Sequence, residues 1–146
     1  MANKTDYLEN KQTDAFWRGQ AFTPPATHYF GLFTTATNDT GGGTEVTGGS
    51  YARVGVSSSL ANFAGTQSVG STTASTGTGG TTSNNNAITF PAPTANWGVI
   101  THMAVFDASS GGNMLVWAPL TISKTVNNGD PAPVFAAAAF TFQEDN

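Results

Sequence analysis

Apolar positions along the chain form one short helical stripe and then a series of brief strand-like runs. Over residues 4–18, Tyr7, Leu8, Lys11, Gln12, Ala15 and Phe16 fall on the i, i+4 and i+8 rows, the only helix-type spacing present. Thr5 is positioned as N-cap, Asp6 and Glu9 stand in the first turn where the helix dipole favours carboxylates, and Arg18-Gly19 supplies a basic last turn and a stop. The stripe is short and weak. Such a helix needs a docking surface, in its own domain or on a neighbour.

Pro24-Pro25 ends helical patterning, and β-type runs follow, separated by Gly, Asn and Ser clusters. The predicted strands are 28–34, 50–56, 87–90, 98–106, 114–121 and 134–142. Turns are expected at the 38–43, 107–112 and 125–130 clusters. Asn128-Gly129 is the strongest hairpin signal, since both turn positions tolerate positive φ. Ala136–Ala139 favours helix by propensity, but Phe135, Phe140 and Phe142 flank it at strand-like spacing, so it is assigned to the last strand. The expected fold is all-β: an antiparallel jelly roll or β-sandwich over residues 24–142, an N-terminal helix or arm over 1–23, and a tail over 143–146.

Residues 57–86 stand apart. From Gly65 to Asn86 the chain is almost wholly Gly, Ser, Thr, Ala and Asn, and across the segment Leu60, Phe63 and Val69 are the apolar anchors. Alone, it buries too little surface to offset its ordering entropy, so it reads as a long loop that a partner or an oligomeric neighbour would order.

At 146 residues the chain fits one domain. Five Lys+Arg against nine Asp+Glu give a net charge of −4, and charged residues are 10% of the chain against an ordinary ~25%. A surface so poor in charge, covered by Ser, Thr, Asn, Gly and Ala, suits packing against other proteins. The five basic residues are scattered, which argues against nucleic acid as a partner. With no cysteine, disulfides, thiolate metal sites and a Cys nucleophile are excluded. No stretch approaches the ~20 apolar residues of a membrane-spanning helix. No membrane partner is expected, and synthesis in a cytosol is the default.

Chemistry is sparse. His28 and His102 are the two imidazoles; no serine sits in a G-x-S-x-G elbow, and the odd spacing of His102 and Asp107 puts them on opposite strand faces. Asp39, Glu45, Asp107 and Asp130 lie in Gly- or Asn-rich turns, without the spacing of a calcium loop or a glycosidase pair. Gly41–Gly43 and Gly111-Gly112 precede no helix and cradle no phosphate. No catalytic residue, metal or cofactor is therefore expected. Trp97 and Trp117 read as core, the alternative being sugar-stacking platforms. Trp17, beside Phe16 and Phe22, reads as an interface anchor. The candidate interface residues are Tyr7, Phe16, Trp17, Arg18, Phe22, Leu60, Phe63 and Val69, within contact segments 7–22 and 57–86 and the tail 143–146.

Three blocks carry a resemblance. The first is Gly42-Gly43-Thr44-Glu45-Val46-Thr47-Gly48-Gly49-Ser50-Tyr51-Ala52-Arg53. The second is Ile88-Thr89-Phe90-Pro91 with Asn96-Trp97-Gly98, and the third runs from Phe106-Asp107 through Gly111-Gly112-Asn113 to Leu115. Together they resemble a family of small tailed-phage virion structural proteins, often labelled tail fibre, whose jelly-roll members include podophage capsid cement proteins. The resemblance implies a non-enzymatic decoration protein on the capsid exterior, made in the host bacterial cytoplasm, that binds the major capsid protein and stabilises contacts between its subunits. It also implies self-association, with a homodimer at a local two-fold axis or a trimer at a three-fold. The alternative it leaves open is a tail-fibre or receptor-binding component; a carbohydrate-binding module stands further off.

Overall fold

The computed structural model describes residues 2–144; Met1, Asp145 and Asn146, including the end of the tail expected to make contacts, lie outside the described residues. The elements are β1 (Asn3–Lys4), α1 (Asp6–Trp17), β2 (Thr27–Phe33), β3 (Val54–Ser57), β4 (Thr81–Ser83), β5 (Ile88–Thr89), β6 (Gly98–Phe106), β7 (Met114–Val126), β8 (Val134–Phe135) and β9 (Thr141–Gln143). The fold is mostly β, built from antiparallel sheets with one short N-terminal helix.

The main sheet has the order β1-β7-β6-β2-β3. Its register aligns Phe30 with Val105 and Val116, and Leu32 with Met103 and Ala118. Side chains alternate between the faces of a strand, so this set points to one side. There it packs against Ile88, Phe90 and Phe140 from around two short ladders, β5–β8 and β4–β9. Phe30, fully buried, meets Phe140 edge-on at 5.1 Å between ring centroids. The opposite face carries a smaller cluster of Phe33, Ala104, Phe106 and Met114, with Tyr29 and Trp117 packed beside it.

Thr5 caps α1 as its sequence position suggests, accepting from the Leu8 N–H at 3.5 Å, but its hydroxyl also donates to the Met114 carbonyl at 2.6 Å. One buried side chain therefore begins the helix and fastens it to β7. No residue of α1 is fully buried; Tyr7 and Leu8 rest against the core from its first turn. Gly19, at φ +66°, stops the chain from continuing as a helix.

Three expectations need correction. The 134–142 strand is two strands separated by a turn, with Ala138 at φ 64°. The cause is Asn84, 1% exposed, whose amide donates to the Ala136 carbonyl and whose oxygen accepts the Phe140 N–H. Asn128-Gly129 does form a turn, with the Asp130 carboxylate accepting the Asn127 N–H at 2.7 Å, but β8 pairs with β5 rather than folding back on β7. Residues 57–86, expected as one long loop, contain a strand and a set of internal hydrogen bonds. β4 lies inside the segment, Gln67 brackets it by donating to Thr73 and accepting from the Thr76 N–H, and Thr82 donates to the Ala64 carbonyl. These polar side chains replace the missing apolar anchors with local bonds to the backbone.

Candidate interaction surface

The three motif blocks converge on one knot. Arg53 grips Glu45 with two parallel bonds, Nε to Oε1 at 2.8 Å and Nη2 to Oε2 at 2.7 Å, while Nη1 donates to the carbonyls of Ala108 and Gly111. Its guanidinium lies over the Phe106 ring, 3.3 Å from the centroid. Asp107 closes the same turn by accepting from the Asn113 backbone and side chain. Tyr51 donates to Glu45 at 2.8 Å and accepts the Leu32 N–H at 2.9 Å, which fills a gap in hydrogen bonding along β2. Burial is the chief cause that holds the Tyr51 phenol above its ordinary range, so it stays a donor to the carboxylate. Trp97, buried as expected, donates to the Gly49 carbonyl at 2.9 Å and packs edge-on against Tyr51. Gly31 leaves room for the knot: a Cβ on it would come within 2.9 Å of Glu45 Oε1 and displace the carboxylate. The knot's hydrogen bonds all run within the chain and join distant motif residues, so these residues hold the fold together.

The imidazoles are equally committed to structure. His102 Nδ1 lies 2.9 Å from the Thr101 hydroxyl. His28 Nδ1 lies 2.9 Å from the Ser58 hydroxyl, a serine–histidine contact that sequence spacing did not reveal. Ser58 gives its proton to the Pro25 carbonyl at 2.7 Å, so it accepts from His28 rather than being activated by it. The other neighbour of the ring is Phe63, edge-on at 5.5 Å. Burial lowers the His28 pKa below its ordinary 6.5. Among the described residues, no group of three or more His, Asp and Glu side chains is placed to hold a metal.

What remains for contact is apolar. A groove of about 450 Å³ runs beside α1. Leu8 and Gln12 form one wall, Phe22, Pro24 and Pro25 another, and Leu60, Phe63, Phe140 and Phe142 complete it. Beyond the groove α1 ends in Phe16 and Trp17, each 84% exposed. Of the charges around this surface, Lys4 is bonded to Glu144 and Gln12, and Arg18 to Asp14 at 2.7 Å, while Glu9 lies beside Phe16 and Trp17.

Residues 3–143 match the family described as Podophage GP4 fiber I protein gp80. The chain belongs to this family. It is therefore a phage virion structural protein of the fibre class. No curated protein matches the chain.

Within this fibre-family fold, the residues expected to form an interface divide into groups. Phe22, Leu60 and Phe63 meet in the groove, and Phe16 and Trp17 project past it. Tyr7 turns the other way, packing on the core with Lys11 5.8 Å from its ring centroid. Arg18 is held by Asp14, and Val69 is exposed but lines no part of the groove. Sequence reasoning missed Leu8, Phe140 and Phe142 as groove walls, because they are brought together only by the tertiary fold, with α1 packed on β7 and β9 paired with β4.

Proposed function

We propose that this protein is a structural subunit of a podophage fibre that acts by binding its neighbours through the surface made of α1 and the groove beside it. The observation that carries the reading is the pair Phe16 and Trp17, both 84% exposed next to an apolar groove, in a chain of a fibre family. Two large aromatic side chains left in water cost solubility unless a partner covers them, and aromatic anchors dominate protein interfaces. The capsid-decoration reading rests on the resemblance of the motif blocks, and the family description favours the fibre.

The test is to locate the protein on virions with gold-labelled antibody fragments and to measure binding of the purified chain to isolated tails and to heads. Label along fibres and saturable binding to tails are expected. Label on a regular head lattice, with binding to heads alone, would overturn the fibre reading in favour of capsid decoration.

A further inference from the structure

We infer that the hollow beside Phe16 and Trp17 receives an arginine side chain of a different virion protein, stacked on the two rings and paired with Glu9. The inference rests on the α1 surface being an interface and names the chemistry of what covers it. Glu9, Thr13 and Trp17 stand one turn apart on a single row of α1, with Phe16 next to the last. Side chains on a helix lean toward its N-terminus, which brings the rings back toward the carboxylate. All four residues line one hollow of about 770 Å³. Both rings are 84% exposed there.

Charge decides what fits. Lys4, at the edge of the hollow, is bonded to Glu144, and Arg18 to Asp14. Lys11 lies 5.8 Å from the centroid of the Tyr7 ring, and Asp6 lines a separate hollow with Thr40 and Asn113. Among the described residues no ion pair reaches Glu9. One uncompensated carboxylate therefore faces two exposed rings, whose faces are themselves electron-rich. Both features attract a cation, and the net charge of −4 draws a basic partner from further away. The chain displays the completed grip elsewhere: Arg53 lies over the Phe106 ring, 3.3 Å from its centroid, while holding Glu45 with two bonds. At α1 this chain contributes the rings and the carboxylate, and the guanidinium falls to the partner. Arginine suits the place better than lysine, because a planar fork stacks on a ring and bonds a carboxylate at once, and an ammonium is more strongly hydrated. The two arginines of this chain are already bonded within it, so the guanidinium comes from a different protein rather than a second copy.

The experiment is an NMR titration of the full, nitrogen-15-labelled chain with N-acetyl-arginine amide, read on the indole N–H signals of its three tryptophans, with Trp17→Phe assigning the signal of Trp17. The arginine amide should move the Trp17 signal and leave those of Trp97 and Trp117 in place, with a dissociation constant of about 1–10 mM for one side chain alone. The citrulline analogue, a neutral isostere, and the leucine analogue should bind about tenfold more weakly, and the lysine analogue about threefold. Glu9→Gln should weaken arginine binding about fivefold to tenfold and remove most of its salt dependence, with an unchanged circular dichroism spectrum. Four results would each overturn the inference: no movement of the Trp17 signal, equal movement of all three, binding indifferent to Glu9→Gln, or citrulline, leucine or lysine binding as tightly as arginine. The titration uses the chain alone, without virions, so its failure is distinguishable from failure of the fibre reading, which antibody labelling decides.

Discussion

The knot around Arg53 and the end of α1 use the same materials, aromatic rings beside an arginine, to opposite effect. In the knot the arginine side chain is 7% exposed and bonded to a carboxylate and two carbonyls; at the helix end Arg18 is 70% exposed and the two rings beside it touch solvent. A guanidinium withdrawn from water needs partners for its donors, and the chain supplies them by bringing the Glu45 and Phe106–Gly111 stretches to Arg53. An exposed ring has no such requirement. The sequence features that look most like a signature therefore maintain the shape, and the exposed aromatic pair of the proposed contact surface lies in a segment with hardly any motif.

Removing the centre of the knot should have the largest effect. Arg53→Ala leaves Glu45 with only Tyr51 as a partner and strips the Phe106 ring of its cover, and should lower unfolding free energy in urea by about 3–5 kcal/mol. Tyr51→Phe removes one hydroxyl, orphaning the Leu32 N–H and one bond to Glu45, for an expected loss of about 1–3 kcal/mol by the same measurement. If Tyr51→Phe were as stable as wild type, the phenol would not be filling the gap along β2.

A smaller effect should separate the groove from the knot by pH. The folded-state pKa of His28 lies below its ordinary 6.5, so the unfolded chain binds the extra proton first as acid is added. The stability from keeping this imidazole neutral is full above about pH 6.5. It falls as pH drops through that value and levels off once the folded-state ring protonates. Thermal melts of wild type and His28→Gln between pH 7.5 and 5 should diverge in that window; parallel curves would mean that the ring does not carry the change. Smallest of all, the Phe16→Ser, Trp17→Ser double variant should shift the stability of dilute protein by less than about 0.5 kcal/mol. A large loss there would make the helix end part of the core, and the contrast between the two regions would collapse.

Much of this arrangement was legible in the residues. Gly98–Phe106 emerges as a strand with the expected bounds, Thr5 caps the helix, and Trp97 is core with its N–H on a loop carbonyl. Each depends on local pattern or on a residue's own need for a bonding partner. The illegible parts depend on residues far apart. Asn84 breaks the final strand from 52 positions away, and Ser58 reaches His28 across 30. β7 runs on to Val126, past the expected end at Thr121, because β6 continues beside it and pairs Gly98 with Val126. The tip of the candidate surface, Phe16 and Trp17, was visible as a cluster of large apolar residues. Its groove was only half visible, since Leu60 and Phe63 stand out in a polar segment whereas Leu8, Phe140 and Phe142 look like ordinary core.

The N-terminal arm lies between two strands. Asn3 and Lys4 pair antiparallel with Trp117 and Val116 of β7, Ala2 bridges Phe142 of β9 in parallel, and the Lys4 ammonium meets Glu144. Parallel neighbours pulled from opposite ends slide along each other, so their bonds resist together instead of opening one at a time. Tension applied between the arm and β9 would be carried in shear, with the buried Thr5 hydroxyl on Met114 as a further brake.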